Sequence, residues 1–114
     1  MIDPGSFVRV ASAAEIPEGE VRGYEVPAGR VAIGRVEQEV FALADECPGD
    51  GCSLSEGTLD EVNEAVVCPC DASAFDVRTG EPVEGPAVDP VAVLRVRVDD
   101  DGWVEVGPEI GGRG

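Results

Sequence analysis

Apolar and polar positions alternate with a period of two over several short stretches of this 114-residue chain, and none shows the 3.6-residue period of a long helix. The clearest stretch is Val91-Ala-Val-Leu-Arg-Val-Arg-Val98, where Leu94, Val96 and Val98 share one face and Arg95 and Arg97 the other. Asp99-Asp-Asp-Gly102 then reads as a turn and Trp103-Val-Glu-Val106 as a returning strand, so a terminal β-hairpin is expected. A second hairpin is expected from Val31–Val36 and Val40–Ala44, with its tip near Gln38.

Shorter runs at Phe7–Val10, Val21–Val26, Ala65–Val67 and Phe75–Val77 add further strands, the first two separated by a turn at Ile16-Pro-Glu-Gly19. Leu54–Glu64 carries mainly turn-forming and polar residues. The prolines at 82, 86 and 90 exclude a regular helix there, because proline removes a backbone donor and fixes its own torsion. The pattern predicts an all-β, antiparallel domain over 7–107. Residues 1–6 are set aside as an N-terminal extension or cloning remnant, and 108–114, ending in Gly-Gly-Arg-Gly, as a flexible tail.

Composition adds a sign to this frame. There are 24 acidic and 8 basic residues, a net charge of −16, and every basic residue is arginine. Such a surface repels phosphate, so nucleic acid and anionic membrane are excluded as partners. What remains is a role in solubility or docking on a basic protein. No stretch has the length of a membrane span or the build of a signal peptide, so a cytoplasmic protein is expected. Histidine is absent, which removes the usual base of a Ser or Cys nucleophile, and no phosphate-binding glycine loop or EF-hand spacing occurs. Catalysis by this chain alone is not expected.

All four cysteines lie in two short loops, Cys47-Pro-Gly-Asp-Gly-Cys52 and Cys68-Pro-Cys70-Asp71, each entered from the end of an apolar strand. Loops of this kind serve disulfides, zinc or iron–sulfur chemistry. The Cys-x4-Cys and Cys-x-Cys spacings are poor zinc knuckles, so zinc is the least favoured of the three.

Cys47-Pro-Gly-Asp-Gly-Cys52-Ser-Leu-Ser-Glu-Gly57 and Val67-Cys68-Pro-Cys70-Asp-Ala-Ser-Ala-Phe75-Asp-Val-Arg-Thr-Gly80-Glu-Pro82 resemble the two cluster-binding boxes of the Rieske iron–sulfur family. With the downstream prolines and terminal hairpin, the resemblance covers about residues 7–106. It implies a Rieske-type antiparallel sandwich or open barrel with a small loop subdomain at about 45–80. It also implies a single-electron carrier between a reductase and a terminal oxygenase, or the small subunit of a nitrite reductase.

In that family each box gives one Cys to one iron and one His to the other iron of a 2Fe-2S cluster. Carried over, the cysteine ligands fall on Cys47 and Cys68, and the histidine positions on Gly49 and Asp71. Cys52 and Cys70 match the pair that forms a loop-clamping disulfide in the high-potential branch. An unaltered Rieske site therefore cannot form. One reading keeps a cluster through altered ligands: Cys47 and Cys68, with Asp71 and either Asp50 or a cysteine from the clamp, or all four cysteines. A second has no cluster and one or two disulfides, leaving a Rieske-fold interaction or scaffold subunit. A third is deliberate removal of the two histidines. The expected partner is a basic reductase, oxygenase or nitrite reductase large subunit.

Overall fold

A computed structural model describes residues 7–27, 29–48 and 51–109. Among the described residues, ten antiparallel strands form two sheets, and the only helical segments are two single 3-10 turns, Ala13–Glu15 and Leu54–Glu56. Among the described residues no helix is long and apolar enough to cross a membrane.

The larger sheet contains β1 (Val8–Ser12), β2 (Val21–Val26), β3 (Gly29–Val36), β4 (Glu39–Ala44), β9 (Val93–Val98) and β10 (Trp103–Glu109), in the order β1-β10-β9-β4-β3-β2. Strands in a sheet are spaced ~4.8 Å apart, so β3 and β10, three places apart, would stand about 14 Å from each other if it were flat. Instead Val31 and Ile33 of β3 pack in one cluster with Val104 and Val106 of β10, together with Ile16 and Ala42. The sheet is rolled into a nearly closed barrel whose interior is this cluster.

Both expected hairpins are present. At the tip of β3–β4 the two-residue loop Glu37-Gln38 has φ of 51° and 73°, the left-handed pair whose twist matches that of the flanking strands. On β9 the inward face is only partly covered: Leu94 and Val96 are half-buried and Val98 is exposed. The reason lies in the register, because β4 pairs with Val93 and Leu94 alone and leaves the far half of β9 with β10 as its one neighbour.

The smaller sheet contains β5 (Thr58–Asp60), β6 (Ala65–Val67), β7 (Ala74–Asp76) and β8 (Pro82–Glu84), in the order β5-β6-β7-β8. Two of these differ from the sequence expectation. Leu54–Glu64 is a 3-10 turn and a strand rather than turns throughout, and the proline-spaced stretch begins with a strand. Pro82 opens β8 on the sheet edge, where its missing N–H costs no ladder bond. At the other end of the domain β10 continues to Glu109, so Pro108 and Glu109 belong to the sheet rather than to a tail. The remainder of the expected tail, 110–114, and the extension 1–6 lie outside the described residues.

The two sheets meet over a second core of Val36, Phe41, Leu43, Leu54, Val66, Phe75, Val77 and Val91. Cys47 and Cys68 belong to the same core. Arg78 fastens the sheets at the surface, its guanidinium meeting Glu39 of β4 and Glu64 of the β5–β6 turn.

Candidate metal centre

Two loops at one end of the smaller sheet carry the four cysteines, and the backbone closes both in the same way. In the first, the Cys47 amide donates to the Cys52 carbonyl (2.8 Å) and the Gly51 amide to the Cys47 carbonyl (2.8 Å). In the second, the Cys68 amide donates to the Ser73 carbonyl (2.7 Å) and the Ala72 amide to the Cys68 carbonyl (3.1 Å). Each is thus a six-residue loop pinned by its first residue, with its fifth residue in the left-handed region: Gly51 at φ 77° and Ala72 at φ 63°.

Cys52 and Cys70 are joined in a disulfide across the loops, with their Cα atoms 6.4 Å apart. Cys47 and Cys68 lie outside that disulfide and are buried, at 1% and 2% exposure. Their sulfurs and a carboxylate oxygen of Asp71 all lie within 4.8 Å of one another. The Ser73 amide donates to Asp71 Oδ1 at 2.9 Å, so the loop itself orients this carboxylate. Burial is the main cause that pushes the Cys68 thiol up to about 11. The Asp71 and Cys70 amides that face its sulfur pull the other way, while hydrogen bonding with Cys47 and Asp71 raises it further. Gly49 and Asp50 lie outside the described residues.

Residues beyond the boxes hold the loops in place. Asp45, two residues before Cys47, has a fully buried side chain that accepts from Arg30 Nε (3.2 Å), the Ser55 amide (2.7 Å) and Ser55 Oγ (2.7 Å). It thereby ties the entry of the first loop to its exit. Ser73, wholly buried, accepts from the Ala87 amide through Oγ (3.0 Å) and anchors the second loop to the segment after β8. Gly57 allows the loops to approach: a Cβ there would fall 1.9 Å from the Val67 carbonyl oxygen. Neither Asp45 nor Ser73 stands out in the sequence pattern. An acidic residue at the end of an apolar strand was the one available signal for Asp45.

A Rieske centre takes two thiolates on one iron and two imidazoles on the other. The two thiols are present and adjacent, as one iron requires. At the two positions that the resemblance assigns to imidazole the sequence has Gly49, which offers no side chain, and Asp71, whose oxygen lies with the sulfurs. The described donors therefore fit an iron site through two sulfurs and one oxygen, with a carboxylate in place of a nitrogen.

Comparison with known proteins places this geometry among relatives. The family model for the Rieske [2Fe-2S] domain matches residues 6–95. Ferredoxin CarAc of Metapseudomonas resinovorans is 35% identical over 95 residues, covering 82% of this chain and 87% of that protein. The ferredoxin of carbazole 1,9a-dioxygenase from Nocardioides aromaticivorans superposes with a TM-score of 0.86 at 30% identity, covering 90% of this chain and 98% of that one. A ferredoxin solved in complex with the reduced oxygenase of carbazole 1,9a-dioxygenase superposes with a TM-score of 0.80 at 35% identity, covering 89% and 92%.

Proposed function

The chain belongs to the Rieske [2Fe-2S] domain family, and from that premise we propose that it is a ferredoxin that carries single electrons to a terminal oxygenase or reductase through a centre with altered ligands. The carrying observation is the convergence of the Cys47 and Cys68 sulfurs with the Asp71 carboxylate within 4.8 Å. Cys47 and Cys68 would hold one iron and Asp71 the other, with the fourth ligand drawn from the segment that contains Asp50. A cluster bound there supplies a one-electron redox centre.

The protein's own part is to hold the ligands and exclude water. Burial of both thiols and the Cys52–Cys70 bridge over the loops serve these ends. Replacing neutral imidazole by carboxylate adds negative charge next to the iron and stabilises the oxidised form. The expected potential therefore lies below the Rieske range, under about −150 mV. The net charge of −16 suits docking on a basic face of the oxygenase or reductase, which would speed encounter and make it sensitive to salt. A cytoplasmic location goes with this reading. The disulfide is in tension with it, since cytosolic thiol pools keep most cysteines reduced, and thiol labelling in intact cells tests both.

A specific observation favours a second reading, a cluster-free interaction subunit. The clamp already uses two of the four cysteines, and Cys68, pushed up to about 11, is a neutral thiol near pH 7 when it binds nothing. Anaerobic reconstitution with iron and sulfide separates the two. About two irons and two labile sulfides per chain, with an electron paramagnetic resonance signal on reduction, are expected of the carrier. A colourless protein that still binds its oxygenase would leave the second reading. In a coloured protein, an Asp71→Ala spectrum identical to that of the unsubstituted chain would remove the carboxylate from the ligand set.

A further inference from the structure

We infer that Cys47, Cys68 and Asp71 also form a binding site for a single thiophilic divalent cation of the zinc or cobalt kind, filled when no cluster is assembled. The inference uses the donors of the reading above but does not depend on a cluster ever forming. It stands on the spacing, chemistry and fixation of these donors.

Around one tetrahedral ion, with metal–sulfur bonds near 2.3 Å and metal–oxygen bonds of about 2.0–2.2 Å, neighbouring ligand atoms stand roughly 3.5–3.8 Å apart. The three donors, all within 4.8 Å of one another, reach this by movements of about 1 Å or less. Two sulfur donors select zinc, cobalt or cadmium over magnesium or calcium, which prefer an all-oxygen shell.

The donors are also fixed in advance. Each sulfur belongs to the first residue of a loop closed by two backbone hydrogen bonds, and the Cys52–Cys70 bridge holds one loop against the other. Ser73 N–H on Asp71 Oδ1 is the kind of outer-shell hydrogen bond that orients a ligating carboxylate. Little is left to order when an ion arrives, which favours affinity. Binding converts both thiols to thiolates, so up to two protons leave to the buffer for each ion bound.

Cobalt titration of the iron-free, full-length protein, with its disulfide intact, tests the site without reference to electron transfer. The expected result is one cobalt per chain, with a sulfur-to-cobalt charge-transfer band and the visible bands of a tetrahedral ion, all displaced by zinc. Asp71→Asn should weaken binding by about 10-fold or more while keeping the charge-transfer band. Cys47→Ser should abolish or greatly reduce that band. Should Cys47→Ser fail to fold, X-ray absorption of the cobalt-loaded unsubstituted protein decides, with two sulfur neighbours at about 2.3 Å expected. No binding, or a shell of oxygen and nitrogen alone, overturns the inference. A protein that takes cobalt but rejects iron and sulfide loses only the cluster reading, and the reverse result loses only this one.

Discussion

The first cysteine loop, 47–52, and the second, 68–73, share a backbone frame and differ in almost everything hung on it. Both are closed by an amide-to-carbonyl bond between first and sixth residues and another between fifth and first. The first follows β4, a six-residue strand of the large sheet, and is braced by the buried Asp45. The second lies between β6 and β7, strands of three residues each, and is braced by Ser73. The clamp cysteine is the sixth residue of one loop and the third of the other. The difference shows that the frame is a property of the backbone and its outer braces rather than of the side chains the two loops carry. That shared frame is why two buried sulfurs face a common point.

The disulfide provides the largest test of this comparison. Replacing Cys52 and Cys70 together by Ser opens a covalent loop of sequence separation 18, for which chain entropy alone gives a loss of about 3 kcal/mol. Urea unfolding measures the loss. If the frame is built as described, hydrogen exchange should quicken most in the second loop and the small sheet, while amides of β3 and β4 keep their relative protection. Equal loosening of the two loops would show that the brace at Asp45 adds nothing.

A smaller, two-sided test lies at the fifth position of each loop. Gly51 and Ala72 occupy the same left-handed conformation, which costs a residue with a Cβ about 1 kcal/mol or more. A Cβ at Gly51 would meet only Glu46 Oε2, at 3.8 Å, so conformation rather than collision decides the outcome. Gly51→Ala is expected to destabilise by about 1 kcal/mol and Ala72→Gly to stabilise by a similar amount, read by thermal unfolding. Two shifts of the same sign would break the equivalence of the loops.

How much of this the sequence could show depended on how far apart the deciding residues lie. The β3–β4 and β9–β10 hairpins were legible because their alternation is long and their turns are local. β5 and β8 were not, since Thr58-Leu-Asp60 and Pro82-Val-Glu84 are too short to show a period and contain residues typical of turns. The cysteine loops were legible through the Rieske resemblance, including the assignment of Cys52 and Cys70 to a clamp. The convergence of both sulfurs with the Asp71 carboxylate, which the resemblance allowed but did not require, is a product of folding that no spacing encodes. The same holds for Asp45, whose partners Arg30 and Ser55 lie 15 and 10 residues away on different elements.

The smallest effect is expected in the turn that joins the two loops. Asp60 ends β5, which leads away from the first loop, and its carboxylate accepts from the Asn63 side chain (2.8 Å) and from the amides of Asn63 (3.2 Å) and Val62 (3.1 Å). Hydrogen bonding to the Asn63 side chain is the main cause that holds its pKa below 3.8, with the two amides adding to it. A carboxyl whose folded pKa lies below its unfolded one binds fewer protons folded than unfolded. Its contribution to stability is therefore complete above pH 3.8 and is lost as the pH falls through the lower, folded value. Proton-detected titration of Asp60 should give a midpoint below 3.8, and Asn63→Ala should move it upward by removing the principal donor. Because the carboxylate lies at the surface in a local turn, the accompanying change in stability should be small and should leave both cysteine loops unaltered. A midpoint at or above 3.8 would show that the turn is not held by this carboxylate.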